Sequence, residues 1–363
     1  MKKSSIYSII TGTGSYIPTR VIKNEDFITQ DFYNSSGEKL TKSNQDIIAK
    51  FQEITTIEER RYVTDDLNTS DIAFLAAEKA IAAADIDKET LDYIIVGHNF
   101  GDIKQGSNRV DICPSLAARV KHKLKIKNPK SIAYDLPFGC PGWLQGVIQA
   151  DYFLKSGDAK RALVIGAEVL SRIIDPYDVD SMIYADGAGA VILEAIESEV
   201  PIGIIAHNAR SDAYQYSEML IMSESYNKNN QKKHAHYIKM SGRKLYQYAL
   251  EHVPMALKEC LEKSNTPITS IDKVLIHQAN GKMDDAILKR FYDLFDGVDM
   301  PDGIMPMTIS KLGNSSVATI PTLLDLILNK RMEGHSIHKG DTVLFASVGA
   351  GMNINAVVYK VSS

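Results

Sequence analysis

The sequence predicts an α/β protein built from two similar halves, on three observations. Short runs rich in Val and Ile alternate with longer amphipathic stretches along its 363 residues, the pattern of helices layered on sheets. A weak internal repeat recurs in the second half. A composition of 44% hydrophobic and 24% charged residues supplies ample material for a large core.

Taken in order, "SIYSIITG" reads as a first strand. The "GTG" that follows at Gly12 lacks the third glycine of a dinucleotide fingerprint and reads as a strand-end turn. "SDIAFLAAEKAIAAADI" has helical periodicity, "LDYIIVGH" is a buried strand, and "PSLAARVKHKL" is a second helix. The strand "SIAYDL", the helix "PGWLQGVIQADYFLKSG" and the strands "KRALVIGAEV" and "GAGAVILEAI" complete the first half. The polar span from Ala209 to Lys239, with "SESYNKNNQKKHAH", reads as a surface excursion rather than core.

The repeat pairs "DLPFGCPGWLQGVIQADYFLKSGDAKRALVIGAE" with "ISKLGNSSVATIPTLLDLILNKRMEGHSIHKGDTVLFASVGAG". Each copy has a Gly turn carrying a short reactive residue, an apolar helix, a Gly-Asp turn and a strand ending in small residues. Upstream, "LDYIIVGHN" matches "IDKVLIHQAN", and the halves meet near Glu197 to Gly203. In this pairing Gly139-Cys140 falls opposite Gly313-Asn314, and His277 follows the second copy of the "LDYIIV" strand. Pseudo-symmetry would then gather these strand ends at one central site.

A formal net charge of -4 offers no broad basic field, so neither nucleic acid nor an anionic membrane is an expected partner. No apolar segment approaches the roughly 20 residues that span a bilayer. Serines break the apolar run of "MKKSSIYSIITGTG", which favours a strand over a signal peptide. Three cysteines with no CxxC spacing suit a reducing compartment. The expectation is a cytoplasmic globular protein.

Three residues stand out chemically. Cys140 in "FGCPGW" precedes a proline suited to the first turn of a helix, where the dipole favours thiolate. Alone, it reads equally well as a loop filler. His277 in "VLIHQAN" ends a buried strand and alone reads as a satisfied strand-end histidine. Asn314 in "LGNSSVAT" alone reads as a helix cap. Two histidine pairs, His234 with His236 and His335 with His338, lack the partners of a metal site, so no metal is expected. Cys260 lies in a helical pattern and reads as inert.

In this order the three resemble the triad of the β-ketoacyl-acyl-carrier-protein synthases of type III, within the thiolase-fold condensing enzymes. The resemblance runs nearly end to end through "GTGSYIPTRVIKNEDF", "PSLAARV", "FGCPGWLQG", "DGAGAVIL", "KMSGRKLYQYAL", "HQAN", "LGNSSVATIPTLL" and "SVGAGMN". It implies a thiolase-like fold of two pseudo-symmetric halves, 1–198 with the cysteine and 199–363 with His and Asn, forming a five-layered α-β-α-β-α sandwich. It implies that Cys140 carries an acyl group, and that His277 Nε2 and Asn314 Nδ2 stabilise the enolate formed when malonyl-acyl-carrier protein loses carbon dioxide. The oxyanion hole would be the N–H groups of Cys140 and Ala350. No cofactor is implied beyond the thioester substrates, acyl-CoA or acyl-carrier protein with malonyl-carrier protein, and the assembly implied is a homodimer.

Departures from the family pattern sharpen the expectation. The "RTGI" stretch and upstream Trp that sandwich adenine in acyl-CoA users are replaced in "KFQEITTIEERR" by Lys50 and Ile54, which favours a carrier-borne donor. Where the family often closes its acyl pocket with a Phe from the partner subunit, "CPS" places Cys113, implying a deeper pocket. Lys282, Lys289 and Arg290 are the expected docking cations for acidic carrier protein. Two rival readings stand: a specialised-metabolism ketosynthase joining two larger acyl thioesters, and a Cys-His thioester hydrolase or acyltransferase, which has no need of Asn314 as a donor.

Overall fold

A computed structural model describes residues 4–230 and 235–362. The first elements are β1 (Ser5–Tyr16), β2 (Arg20–Lys23), α1 (Asn44–Thr55), β3 (Glu59–Tyr62), α2 (Thr69–Ala84) and β4 (Tyr93–His98). Then come α3 (Leu116–Lys123), β5 (Ile132–Pro137), α4 (Gly142–Ser156), β6 (Arg161–Val169) and β7 (Asp186–Ser198). The chain continues with β8 (Gly203–Ser211), α5 (Ala213–Tyr216), β9 (Leu220–Ser223), β10 (Tyr237–Met240), α6 (Gly242–Ser264) and β11 (Lys273–Ile276). It closes with α7 (Gly281–Tyr292), α8 (Ile309–Leu312), α9 (Thr319–Leu328), β12 (Thr342–Gly349) and β13 (Asn353–Lys360).

Two main sheets carry the molecule. One has five strands in the order β1-β7-β6-β4-β5, the other four in the order β11-β12-β13-β8. In the first, β4 runs parallel to both β5 and β6; in the second, β11 runs parallel to β12. Parallel neighbours point their carboxyl ends the same way, and such ends are where α/β proteins gather functional groups.

Between the sheets lie α4 and α9. Trp143, Leu144 and Val147 of α4 and Ile320, Leu323 and Ile327 of α9 share one apolar cluster with Val164 of the first sheet and Phe345 of the second. Every residue of α9 from Thr319 to Ile327 is buried, as expected of a helix walled in on all sides. Each aliphatic side chain so enclosed contributes about 1.5–3 kcal/mol relative to exposure. Outside, α2 and α3 cover the first sheet through Ile72, Ala76 and Val120. The second is covered by α6 and α7 through Leu257, Ile287 and Phe291. The layers therefore run α-β-α-β-α, the thiolase-like sandwich.

One expectation is corrected. The span read as a surface excursion contains β9 and β10, which pair antiparallel from Leu220↔Met240 to Ser223↔Tyr237. This hairpin is a wall of the central cavity rather than solvent-facing loop, since Leu220, Met222, Ile238 and Met240 line it. Its polarity misleads because Lys239 is buried, with Nζ 2.6 Å from Asp175 Oδ2 and 2.9 Å from Asp178 Oδ2. Of the histidines considered as metal pairs, His234 lies outside the described residues.

Candidate active site

Cys140 sits in the bend between β5 and α4. Gly139 holds φ at +67°, and a Cβ there would lie 3.0 Å from the Ala350 N, so only glycine lets the two loops meet. Pro141 stands immediately before α4 rather than as its first residue, yet has helical angles, and its carbonyl accepts the first turn's bond from Gln145 N at 2.8 Å. Gly142 serves close packing instead of a sharp bend: a Cβ on Gly97 of β4 would come within 2.6 Å of its carbonyl carbon.

The expected lowering of the thiol's pKa by the helix is reversed. Burial pushes Cys140 up to about 11, and the nearby Glu168 carboxyl pushes the same way. The Ser316 hydroxyl, with Oγ 3.2 Å from Sγ, and the residue's own N–H pull against them. In a cavity walled by protein, desolvation of the anion outweighs one helix end. At neutral pH the resting group is the thiol.

His277 follows β11 directly and donates its N–H to Ala346 O at 2.9 Å, which ties it to β12. Burial drives its imidazole down to about 4, with a contact to the Ser316 backbone opposing. The ring is therefore neutral at physiological pH and carries one N–H donor. The rest of "HQAN" is structural. Gln278 is wholly buried, donating to Pro306 O at 2.9 Å and accepting from Thr308 N at 2.8 Å. Asn280 caps α7, its side chain accepting from Met283 N at 3.2 Å.

Asn314 is clamped by backbone on both sides: its N–H donates to Ile183 O at 3.0 Å and its carbonyl accepts from Ala185 N at 2.8 Å. Its side-chain Oδ1 accepts the Ser316 N–H at 2.8 Å. That bond fixes the amide's orientation, and the Nδ2 remains as its donor.

Cys140, His277 and Asn314 all line one cavity of about 360 Å³, together with Gly349 at the end of β12 and Ala350 and Gly351 of the turn that follows it. Among the described residues, neither the Cys140 nor the Ala350 N–H donates to a backbone carbonyl. The remaining wall is largely apolar and includes the β9–β10 hairpin. Four polar residues that the sequence did not single out also line it: Asn99, Tyr184, Ser316 and Asn353. The available signals were slight, since Asn99 directly follows the "LDYIIVGH" strand and Ser316 lies two positions beyond Asn314.

The other predicted residues lie elsewhere. Cys113 is exposed in the loop before α3 and does not line its own chain's cavity. Lys282, Lys289 and Arg290 are exposed on α7, and Lys282 Nζ is 3.7 Å from Glu53 Oε1 of α1. Lys50 and Ile54, at the expected clamp positions, are exposed on α1. Cys260 is buried in α6, and desolvation pushes its thiol up to about 12.

Two family models match the chain, described as 3-oxoacyl-[acyl-carrier-protein] synthase III and its C-terminal domain. They cover residues 134–213, which hold Cys140, and 261–361, which hold His277 and Asn314. The crystal structure of 3-oxoacyl-[acyl-carrier-protein] synthase III from Aquifex aeolicus is similar across 97% of this chain and 99% of its own, at 28% identity and a TM-score of 0.79. The chain belongs to the 3-oxoacyl-[acyl-carrier-protein] synthase III family.

It is accordingly an acyl-transferring condensing enzyme. The synthase III of Thermus thermophilus is also 28% identical, with 97% of this chain and 98% of that one covered at a TM-score of 0.78. A priming β-ketosynthase of the R1128 polyketide pathway shares the fold at 22% identity and a TM-score of 0.80, covering 100% of this chain and 98% of its own. No helix among the described residues is long and apolar enough to cross a membrane.

Proposed function

We propose that this synthase III family member joins an acyl group held on Cys140 to the two-carbon unit of malonyl-acyl-carrier protein. The observation that carries the proposal is the opening of Cys140, a neutral His277 and an oriented Asn314 into one mostly apolar cavity. In acylation, the Cys140 sulfur attacks the donor thioester carbonyl. The carrier's C–S bond breaks, and the cysteine proton ends on the departing carrier thiol. The Cys140 and Ala350 N–H groups hold the tetrahedral oxyanion.

In condensation, the malonyl carboxylate leaves as carbon dioxide and its bonding pair becomes an enolate. Its oxygen takes hydrogen bonds from His277 Nε2–H and Asn314 Nδ2–H. Each such donor typically contributes about 10²–10³ in rate. The carbanion attacks the acyl carbonyl, a C–C bond forms, and the Cys140 thiolate leaves and takes up a proton. A neutral imidazole suits this role, because it donates without first having to gain a charge in a dry site.

In this reading the chain divides into halves at 198/199 and works as a cytoplasmic homodimer. Edge strand β5, with Ile132 49% exposed, and the apolar Val110 and Ile112, 48% and 58% exposed, support self-association. Cys113 then enters the partner's acyl pocket. The exposed cations of α7 dock acidic carrier protein. The apolar cavity also suits a ketosynthase that joins larger acyl thioesters in specialised metabolism.

Intact-mass measurement after incubation with acetyl, octanoyl and longer donors, on CoA and on carrier protein, tests the reading. Cys140→Ser should abolish loading, and unimpaired transfer would overturn the mechanism. Asn314→Ala should slow malonyl decarboxylation about 10²-fold or more while Cys140 still loads. Decarboxylation untouched by that change would favour the hydrolase alternative.

A further inference from the structure

Ser316 makes contacts that neither a helix cap nor an acyl pocket requires. It is buried and holds φ at +52°, in the left-handed region, where glycine is at ease and other residues are strained. Three hydrogen bonds hold it there. Its N–H donates to Asn314 Oδ1 at 2.8 Å, its Oγ lies 3.2 Å from Cys140 Sγ, and the same Oγ accepts from Asn99 Nδ2 at 2.9 Å. Asn99 is held in turn by Glu168, whose Oε2 accepts the Asn99 N–H at 2.7 Å and a second hydrogen from Nδ2. Glu168 is 1% exposed, and its Oε1 has no partner among the described residues.

The chain of donors runs one way. A carboxyl Oε2 that only accepts fixes the Asn99 amide with its NH₂ toward both Glu168 and Ser316. Ser316 Oγ, already accepting from Asn99, has a single hydrogen, and the remaining neighbour is the sulfur. A hydroxyl bonds a thiolate far more strongly than a thiol or thioester, because charge-assisted hydrogen bonds are roughly twice as strong. The thiolate arises when Cys140 attacks its donor and again when it is expelled in condensation.

We propose that Ser316 is a further catalytic residue, donating its hydroxyl hydrogen to the Cys140 sulfur whenever that atom carries negative charge, and that Asn99 and Glu168 are positioning residues that aim it. The inference rests on Cys140 as the acyl acceptor, but its test does not need the acyl reaction. Burial also pushes the Glu168 carboxyl up to about 7, so its charge is partly suppressed near neutrality and fully present at the thiol's alkaline midpoint.

The experiment is the pH profile of Cys140 alkylation by iodoacetamide in the full chain. Ser316→Gly removes the hydroxyl and relaxes the backbone, so its thermal stability should match or exceed the parent's. Its alkylation midpoint should still move up by about one pH unit, making the rate near neutrality about tenfold slower. Ser316→Ala should show the same shift with lower stability. Asn99→Ala, which removes the amide that aims the hydroxyl and leaves the Glu168 charge in place, should move the midpoint up partway. A Ser316→Gly profile that superimposes on the parent's would overturn the proposal, as would slowing in the alanine variant alone. Acyl loading of the parent protein, measured separately, tests the proposed function itself.

Discussion

A thiol held at about 11 is a poor nucleophile at rest, yet Cys140 stands at the head of α4 with a hydroxyl donor 3.2 Å away. Desolvation wins in the resting state, and the donors act only when charge develops. Alkylation by a neutral electrophile should therefore climb about tenfold per pH unit from pH 7 to beyond 9, because only thiolate reacts. A plateau near pH 7 would mean a preformed thiolate. A second residue-scale prediction concerns Asp284, wholly buried in α7 with neither carboxyl oxygen partnered among the described residues. Burial raises its pKa well above the ordinary carboxylate value, with the neighbouring Asp285 adding to it. The folded protein thus keeps a proton that the unfolded chain has lost. Stability falls as pH rises above the unfolded value, by up to about 1.4 kcal/mol per unit, until the folded group also ionises. Asp284→Asn should flatten that decline, as read from urea midpoints between pH 4.5 and 7.5. An equally steep fall in the variant would assign the slope to other groups. At this scale the sequence was informative where chemistry sits inside a motif, as with Cys140, His277 and Asn314. It was silent on Ser316 as a partner of Cys140, since that contact joins residues 176 positions apart.

Among the elements, the β9–β10 hairpin was the least legible. Its residues are short, polar-flanked and separated by a hydrophilic linker, so periodicity gave no signal. What seats it is an ion cluster: Lys239 Nζ on Asp175 and Asp178, with the Tyr226 ring centroid 3.3 Å away. Asp175 also accepts from Ser225 Oγ at 2.9 Å and Tyr226 N at 2.7 Å, which ties the linker to the same point. By contrast, α9 was legible as a largely apolar run, because a helix buried on every side needs no polar face, and α4 as an apolar-rich stretch between two turn signals. Breaking a buried ion pair from one side strands the other charge and costs about 3–5 kcal/mol. Lys239→Met should therefore lower the melting temperature strongly, and neutralising both carboxylates in the same chain, with Asp175→Asn and Asp178→Asn, should recover part of the loss. Ile238 and Met240 flank Lys239 and line the cavity. The single variant should accordingly load mismatched acyl lengths less selectively. Unchanged selectivity with lowered stability would confine the cluster's role to folding.

For the molecule as a whole, the layered architecture follows from alternation and repeat, whereas the cavity's far end, on the homodimer proposed above, depends on a second chain. Cys113 is exposed, lies outside its own chain's cavity, and belongs to a loop with exposed Val110 and Ile112. In the proposed homodimer it acts in trans, narrowing or opening the partner's acyl pocket. Cys113→Phe adds a ring at that end and should reduce octanoyl loading relative to acetyl by about tenfold or more, the scale on which pockets discriminate a few methylenes. Equal rates on both donors would count against the assignment. Subunit mixing makes the test specific for the partner's pocket. A chain carrying both Cys113→Phe and Cys140→Ala cannot be acylated, so all loading in a mixed dimer occurs on the parent subunit's Cys140. If Cys113 reaches across, that cysteine should discriminate against octanoyl as the Cys113→Phe homodimer does. If it keeps the parent's preference, residue 113 acts on its own chain or not at all.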